Sequence, residues 1–250
     1  MRRRRVKNWL WALALMMAAL PARADQPLLA DLTGHLIAIT TGFTGTSVVL
    51  FGATDGPGDI VAIVRGPERD SVVWQKRHLA GLWINGPNVT FANVPSYYAV
   101  FSNRKLDDIA PANAQVLSQI GIGNLRIDPR DPRTKQDETT TFRAALIDAQ
   151  KRAHLFAEYP GSVAFLGDRL FRATLEFPAN VPTGNYLVEV LLIRGGRVVS
   201  GQTTPLVIAE GGIGADVSEF SQNNAALYGL AAILGAALLG WLSSLPFRDV

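Results

Sequence analysis

The chain has 250 residues, of which 48% are hydrophobic and 18% charged, and its formal net charge at pH 7 is +3. The positive excess is local, because residues 1–24 hold six of the 24 basic residues and no acidic one, so that the remainder has 18 basic against 21 acidic residues and a net charge of −3. That charge gives no support for nucleic-acid binding, and the absence of cysteine excludes thiol catalysis, c-type haem attachment, cysteine-bound zinc and a lipoprotein anchor.

The first 24 residues are typical of a secretory signal peptide. A basic region around Arg2–Arg5 precedes the apolar run Trp9–Leu20, which is too short to span a bilayer. Pro21 ends this run, and the small residues after it predict cleavage behind Ala24. An uncleaved signal anchor and a twin-arginine export route are the alternatives.

Residues 25–105 are predicted to form an immunoglobulin-like β-sandwich. Turn residues at 55–59 and 85–88 separate short segments rich in Val, Ile and Thr. Short strands at such regular intervals are typical of that sandwich, although the cysteine pair of antibody domains is missing. The predicted strands are His35–Thr41, Ser47–Gly52, Ile60–Arg65, Ser71–Arg77, Leu82–Ile84, Val89–Ala92 and Tyr97–Ser102.

The densest polar and aromatic cluster in this region predicts a recognition face. Strand alternation places Trp74, Lys76 and His78 on one side of a strand, and Trp83 follows nearby. Tryptophan is enriched in binding hot spots, which favours a recognition role. The interpretation that the sequence alone favours over this hypothesis is a core tryptophan on a strand whose polar neighbours face solvent.

Residues 106–160 are predicted to be helical. Asp107 and Asp108 precede a first helix that starts near Pro111 and runs to about Ile120. A longer helix is predicted from Asp137 to Tyr159. The apolar stripe of this second helix follows the spacing of a one-sided core contact and consists of Phe142, Leu146, Ala149, Ala153 and Phe156.

A second β region is predicted over residues 161–210. The pair Gly195-Gly196 predicts a two-residue hairpin turn, and residues 211–224 are predicted to be a linker. Whether this region shares a domain with residues 25–105 is left open by the sequence. The predicted strands are Val163–Leu166, Leu170–Phe177, Tyr186–Arg194, Arg197–Gly201 and Pro205–Ala209.

The segment Ala225–Leu245 predicts one transmembrane helix. Its 21 residues carry no charge and at 1.5 Å per residue would span roughly 31 Å, which matches a bilayer core. Tyr228 and Trp241 lie near the two ends, where aromatic rings prefer the headgroup level. With the signal peptide, the helix predicts a single-pass protein of the bacterial inner membrane, with its bulk in the periplasm and residues 246–250 as a cytoplasmic stub. A buried core helix is the alternative.

Several motifs resemble the bacterial family of transmembrane proteins called Alph_Pro_TM. They are Leu32-Thr33, Gly81–Gly86, Val94–Tyr98, Pro182–Tyr186 and the terminal span. The resemblance covers nearly the whole chain, but the motifs look structural. It implies no activity and no site residues, and it hints at a permease of the sulfite exporter kind as a membrane partner.

No constellation commits the chain to a chemistry, so we expect no catalytic residues, no metal and no cofactor. His35, His78 and His154 are far apart in sequence, and a metal site through folding is an alternative that we do not favour. Asp55 and Asp59 have too few oxygen ligands for a calcium cage, and a turn is the preferred interpretation.

The leading functional prediction is therefore a non-enzymatic periplasmic module that binds or supports a membrane partner such as a transporter. The alternatives are a solute-binding or sensing domain, with its ligand between the sandwich and the helical segment, and an unfamiliar hydrolase. The membrane itself is the expected partner of Ala225–Leu245, and no nucleic acid is expected.

Overall fold

The computed structural model describes residues 27–79, 81–157 and 159–211, together with the isolated positions 229, 233 and 236. The described chain is mainly β with a helical middle, as predicted. The strands are β1 Leu28–Leu32, β2 Leu36–Ile39, β3 Gly45–Thr54, β4 Asp59–Arg65, β5 Glu68–Leu79, β6 Leu82–Pro95, β7 Tyr98–Ser102, β8 Asp128–Pro129, β9 Gly161–Leu166, β10 Leu170–Pro178, β11 Gly184–Arg194 and β12 Arg197–Glu210. The helices are α1 Leu106–Ile109, α2 Ala112–Leu117, a 3₁₀ turn at Ile122–Asn124 and α3 Gln136–Arg152.

The two segments predicted to direct export and anchoring fall largely beyond this part of the chain. The predicted signal peptide lies outside the described residues, and so does the predicted membrane helix except for positions 229, 233 and 236, which are helical. Among the described residues, no helix combines the length and the apolar character needed to cross a bilayer.

Nine strands form one curled sheet in the order β1-β3-β10-β9-β7-β4-β11-β12-β2. Strands from before and after the helical segment interleave in that order, so residues 25–105 and 161–210 contribute to a single sheet. Neighbours are antiparallel except in two pairs, β2 with β12 and β7 with β9. Each β region therefore depends on the other for its hydrogen-bonded neighbours.

The curl lets the two halves of the sheet share one hydrophobic core. Phe171, Leu175 and Phe177 alternate with exposed residues along β10, as a strand with one face in a core must. They belong to the same buried cluster as Val188 and Leu192 of β11. This packing across the curl fixes the two halves face to face.

One side chain joins β1 to β12. The side-chain amide of Gln202 accepts a hydrogen bond from the Ala30 N–H and donates one to the Ala30 carbonyl, both at 2.8 Å. The amide thus replaces a strand neighbour at this point and covers part of an edge that would otherwise offer unpaired backbone groups.

The strand β4 is buried on both faces, and every residue of Ile60–Val64 has 0% exposure. Alternate side chains face the core described above, while Val61 and Ile63 face a second cluster. The helical segment therefore covers the middle of the sheet as an additional layer, and a continuous apolar run in β4 is what such double burial requires. Other members of the second cluster include Val89, Phe91, Val94, Ile109, Ile120, Leu125 and Leu146.

The strands β5 and β6 form a long hairpin, which pairs with the short β8 in a separate three-stranded sheet. The predicted turn at 85–88 is wrong, because these residues lie inside β6. Trp74 pairs with Asn88 and Lys76 with Asn85, so two residues of β6, Gly86 and Pro87, oppose a single residue of β5. This is a β-bulge, and bulges use the same Gly and Pro residues that mark turns.

Helix α3 ends at Arg152, so the prediction that it continues to Tyr159 is wrong. The His154 N–H donates to the Lys151 carbonyl at 2.9 Å and the Leu155 N–H donates to the Gln150 carbonyl at 3.0 Å, with His154 at φ 58°. This pattern is a Schellman motif, which terminates a helix with one left-handed residue. Glycine usually takes that position. Because histidine occupies it here, the helix end could not be recognised from the sequence.

Phe156 lies beyond the helix end, in an extended segment. It was predicted to belong to the helical stripe, but it forms a parallel bridge with Tyr98 of β7. The Phe156 ring is buried, with 2% exposure, and meets the Tyr98 ring edge-on at a centroid distance of 6.1 Å. Its burial was thus predictable from its apolar character, whereas its backbone conformation was not.

The hairpin of β11 and β12 confirms the predicted turn, since Gly195 and Gly196 have φ 56° and 75°, as a type I′ turn requires.

The two strands predicted after this turn, Arg197–Gly201 and Pro205–Ala209, are one strand, β12. Pro205 is tolerated within β12 because the pairing with β2 starts only at Val207, beyond the residue that lacks an N–H.

Three buried aromatic rings pack together, from Tyr97 just before β7, Phe177 of β10 and Tyr186 of β11. Tyr97 lies 5.4 Å from Phe177 and 5.9 Å from Tyr186 between ring centroids. The Tyr186 hydroxyl donates to the Pro182 carbonyl at 2.6 Å and the Tyr97 hydroxyl to the Glu176 carbonyl at 2.7 Å. Burial raises the pKa of Tyr186 to about 12 and also raises the pKa of Tyr97, because a phenolate would lose its hydration there.

Candidate functional site

The outer part of the β5–β6 hairpin holds the predicted recognition residues. His78 lies directly opposite Trp83 in the pairing, and their rings meet nearly edge-on at a centroid distance of 5.2 Å. Lys76 lies opposite Asn85, and its ammonium group donates to the Asn85 side-chain carbonyl at 2.5 Å. Lys76, His78 and Trp83 therefore share one face of the hairpin.

Trp74 lies on the same side of β5, next to the bulge. The bulge places Gly86 against the strand, and a Cβ on Gly86 would come within 3.0 Å of the Gln75 carbonyl and of the Arg77 side chain. The two tryptophans are far from buried, with 47% exposure for Trp74 and 70% for Trp83. A core role for either ring, the alternative considered from the sequence, does not agree with these exposures.

Three further exposed apolar residues surround the tip of the hairpin. Leu79 and Leu82 form the last pair before the turn and are 64% and 69% exposed, while Ile84 is 41% exposed. Sequence reasoning missed this cluster. The sequence pattern that could have indicated it is a two-stranded ribbon with apolar residues on both faces. Since only one face of such a ribbon can pack on the body of the protein, the other apolar face stays exposed.

The base of the hairpin is held firmly, unlike its tip. Val89, Phe91 and Val94 are buried in the second hydrophobic cluster. The Arg69 guanidinium donates to the Thr183 carbonyl at 2.9 Å, and the Arg130 N–H donates to the Thr90 carbonyl at 2.8 Å. The apolar tip is thus presented on a fixed support rather than on a loose loop.

The charged side chains of the outer hairpin, Lys76 and Arg77, are both basic. Residues 71–92 include Lys76, Arg77 and His78 but no aspartate or glutamate. The acidic residues Glu68 and Asp70 lie at the base, and Asp70 is paired with Arg130. An apolar tip beside cations is suited to an acidic or amphipathic protein surface.

The acidic turn between β3 and β4 is an ion-pair network. The Asp55 carboxylate pairs with Arg194, and the Asp59 carboxylate pairs with Arg104 while accepting a hydrogen bond from the Asn103 amide at 2.9 Å. The hydrogen bond from Arg104 holds the pKa of Asp59 below its usual range. Both carboxylates considered for calcium are therefore engaged by arginines.

The histidines lie in three different parts of the fold. His35 lies between β1 and β2, where its Nε2 is 2.9 Å from the Asp31 carboxylate. His78 lies in the hairpin and His154 at the end of α3. Within residues 27–79, 81–157 and 159–211, no three His, Cys, Asp or Glu side chains are grouped as a metal site would need.

A cavity of about 970 Å³ opens between the sheet and the segment that follows α3. Its walls include Tyr97 and Phe101 of the sheet, and His154 and Tyr159 from the helical side. The volume is sufficient for a small molecule, and the wall mixes apolar rings with hydrogen-bonding groups.

A comparison with protein-family models matches residues 27–249 to the family described as "Putative transmembrane protein (Alph_Pro_TM)". The chain belongs to this family. The match extends from the start of β1 to near the C-terminus, so it includes both the hairpin and the segment Ala225–Leu245, and it confirms the resemblance seen in the sequence. No curated protein matches the chain.

Membership of Alph_Pro_TM agrees with a membrane association, because the family is described as transmembrane. The description states no activity and no partner.

Proposed function

We propose that this member of Alph_Pro_TM is a non-enzymatic module, exported and held by a single C-terminal membrane helix, that binds a membrane protein partner through the outer β5–β6 hairpin. The single observation that carries this proposal is the exposed apolar tip beside cations, on a firmly held base. A transporter of the inner membrane is the partner class we favour.

The body of the module is proposed to be an immunoglobulin-like sandwich. In the usual letters, β1, β3, β10 and β9 would be strands A, B, E and D, and β2, β12, β11, β4 and β7 would be A′, G, F, C and C′. The bond from Tyr186 at the start of β11 to the Pro182 carbonyl supports this assignment, because it has the form of a tyrosine corner on strand F. The β5–β6 hairpin would then be an insertion between strands C and C′.

The position of the hairpin base supports a partner in the membrane. Arg69, near the start of β5, bonds to Thr183, and the adjoining Gly184 pairs with Ile208 near the end of β12. The hairpin base and the end of β12 thus lie at the same end of the curled sheet. The 13 residues between Gly211 and Ala225 could extend at most about 45 Å, which would keep this end near the proposed bilayer.

The composition of the tip supports a protein partner. Tryptophan and arginine dominate binding hot spots, and apolar residues around them exclude water from such contacts. Trp74 and Trp83, with Arg77 between them in the chain, provide these residue types in exposed positions. The positive charges of Lys76 and Arg77 would favour an acidic extracytoplasmic loop of the partner.

Chemical crosslinking in native membranes, followed by affinity recovery of the tagged full-length chain, tests the proposal. We expect one specific membrane protein to be recovered with the wild type and to be lost with Trp83→Ala. Tyr159→Ala is the matched control, since Tyr159 is an aromatic ring of similar exposure, 77%, outside the hairpin. Recovery of the uncrosslinked chain alone, or an equal yield of partner with Trp83→Ala, would refute the role of the hairpin.

A second candidate function, solute binding or sensing, is favoured by the cavity of about 970 Å³ between the sheet and the segment after α3. A bound ligand would raise the melting temperature by mass action. A thermal-shift screen of anions and small periplasmic metabolites tests this idea. The expected pattern is a shift for the wild type that is lost when Phe101 or His154 is replaced, and a screen without any shift would argue against it.

A further inference from the structure

The outer face of β1, β3, β10 and β9 carries exposed apolar side chains where a solvent-facing sheet should be polar. Leu29 is 59% exposed, Phe51 45%, Leu166 50% and Leu170 54%. Antiparallel sheets with one wet face normally alternate apolar-in and polar-out, and contiguous exposed apolar patches mark contact surfaces. We call this surface, which includes Leu29, Asp31, Phe51, Ala53, Leu166, Leu170 and Arg172, the outer patch.

The strand register arranges the outer patch in two rows. In the first row, Leu29 pairs with Ala53, Ala53 with Leu170, and Leu170 with Leu166. The row is apolar across four strands. Together with the adjoining part of β12 it borders a depression of about 730 Å³.

The second row places opposite charges on the two sides of an aromatic ring. Asp31 pairs with Phe51, and Phe51 pairs with Arg172. Since neighbouring strands are about 4.8 Å apart, the two charged residues are separated by roughly 10 Å, with Phe51 between them. Among the described residues, Arg172 has no carboxylate partner, while Asp31 contacts His35 through Oδ1 and keeps its other oxygen available.

This arrangement is complementary to itself. If a second copy is turned by 180° about an axis that runs along β3 in the contact plane, its Arg172 lies opposite Asp31, and its Asp31 lies opposite Arg172. The same rotation places Phe51 opposite Phe51 and Leu29 opposite Leu170. Such a contact is isologous, the commonest type in homodimers.

We propose that the outer patch is the interface of a symmetric homodimer of this chain, formed by face-to-face packing of the β1-β3-β10-β9 halves. Two features of the patch favour a second copy over another occupant. Its charges are satisfied in pairs by the identical surface, and its apolar first row meets apolar side chains under the same rotation. This interface is separate from the hairpin, so either proposal can fail without the other.

Crosslinking at Ala53 gives the first test. The wild type has no cysteine, so a single Ala53→Cys in the full-length chain in native membranes reports this contact alone. Facing sheets lie about 10 Å apart, so a short bis-maleimide should link two copies. Leu117→Cys is the control, because Leu117 is 83% exposed on α2, in the helical layer that covers the other half of the sheet. Equal dimer yields at both positions, or a link from Ala53→Cys only to other proteins, would overturn the proposal.

Charge reversal gives the second test, which depends on the specific symmetry. In the Ala53→Cys background, Asp31→Arg or Arg172→Asp alone should weaken self-association roughly tenfold, because each replaces two attractions by two repulsions. Co-expression of the two single variants with different tags should restore crosslinking between them, since each then opposes its complement. If the mixed pair links no better than each variant with itself, the proposed register is wrong. Unchanged melting temperatures of the variants serve as the folding control.

Discussion

The Tyr186 hydroxyl donates a hydrogen bond to the Pro182 carbonyl, 2.6 Å away, across the turn that leads into β11. Tyr186 is fully buried and its ring also contacts Tyr97 and Phe177, so the bond fixes the turn to the hydrophobic core. Without this donor the partly buried Pro182 carbonyl would lose its partner, which makes the contact important for the stability of the turn.

Tyr186→Phe should therefore destabilise the fold. The ring packing is kept while one hydrogen bond is lost, which costs about 1 kcal/mol and lowers the melting temperature by roughly 2–4 °C. Thermal unfolding monitored by circular dichroism measures the change. Tyr159→Phe, at an exposed position, is the control and should leave the melting temperature unaltered. If the melting temperature of Tyr186→Phe equals that of the wild type, the turn is held by other contacts.

The stability should fall as the pH rises above about 10. Burial raises the pKa of Tyr98 to about 12 from an ordinary 10.0, and the pKa of Tyr186 also to about 12. Between these values the unfolded chain releases phenolic protons that the folded chain retains, so the free energy of unfolding decreases with increasing pH. Urea midpoints at several pH values between 8 and 12 measure this slope.

Tyr98→Phe provides an internal check of the cause. At pH 8 the variant should be less stable than the wild type, since the Tyr98 hydroxyl donates to the Gln119 carbonyl at 2.7 Å and accepts from the Gly121 N–H at 2.9 Å. Above pH 10 the difference should shrink, because phenylalanine cannot ionise. A difference that stays constant over the whole pH range would contradict this explanation.

Gly161→Ala should weaken the pairing of β7 with β9, which connects the two halves of the sheet. Gly161 of β9 pairs with Phe101 of β7 in parallel, and a Cβ at this position would overlap the Phe101 ring. Displacing a ring in a packed region costs about 1–3 kcal/mol, or roughly 3–10 °C in melting temperature. Gly123→Ala is the matched control, as no atom lies within 4 Å of the added methyl group. Equal melting temperatures of the two variants would mean that the Phe101 ring can move aside without a loss of stability.

Trp83→Ala should leave the stability nearly unchanged. The ring is 70% exposed, and surface substitutions of this kind usually alter the free energy of unfolding by less than about 0.5 kcal/mol. Urea unfolding of the variant tests this expectation and is also the folding control for the partner-recovery experiment. A large loss of stability would show that Trp83 has a structural role, against the proposed recognition role.

Local patterns were sufficient for many of the elements in this chain but not for their arrangement. Ile60–Arg65 and Gly195-Gly196 were predictable because apolar β-branched runs and double glycines act through the backbone nearby. The interleaving of β3 with β10, and of β4 with β11, depends on contacts over more than 100 residues and leaves no local signal. The exposed tip at Leu79 and Leu82 was missed although both faces of the ribbon are locally apolar, since the lack of a covering layer is a property of the assembled sheet.

The buried strand β4 continues directly into the hairpin, with only two residues between Arg65 and the start of β5. The hairpin and a strand whose five central residues are fully buried therefore share one continuous backbone. Amide hydrogens of Ile60–Val64 should exchange among the slowest in the chain, and a change in their exchange rate would report occupancy of the distant tip. A contact at the exposed hairpin is thus connected to the buried middle of the sheet through a short stretch of backbone.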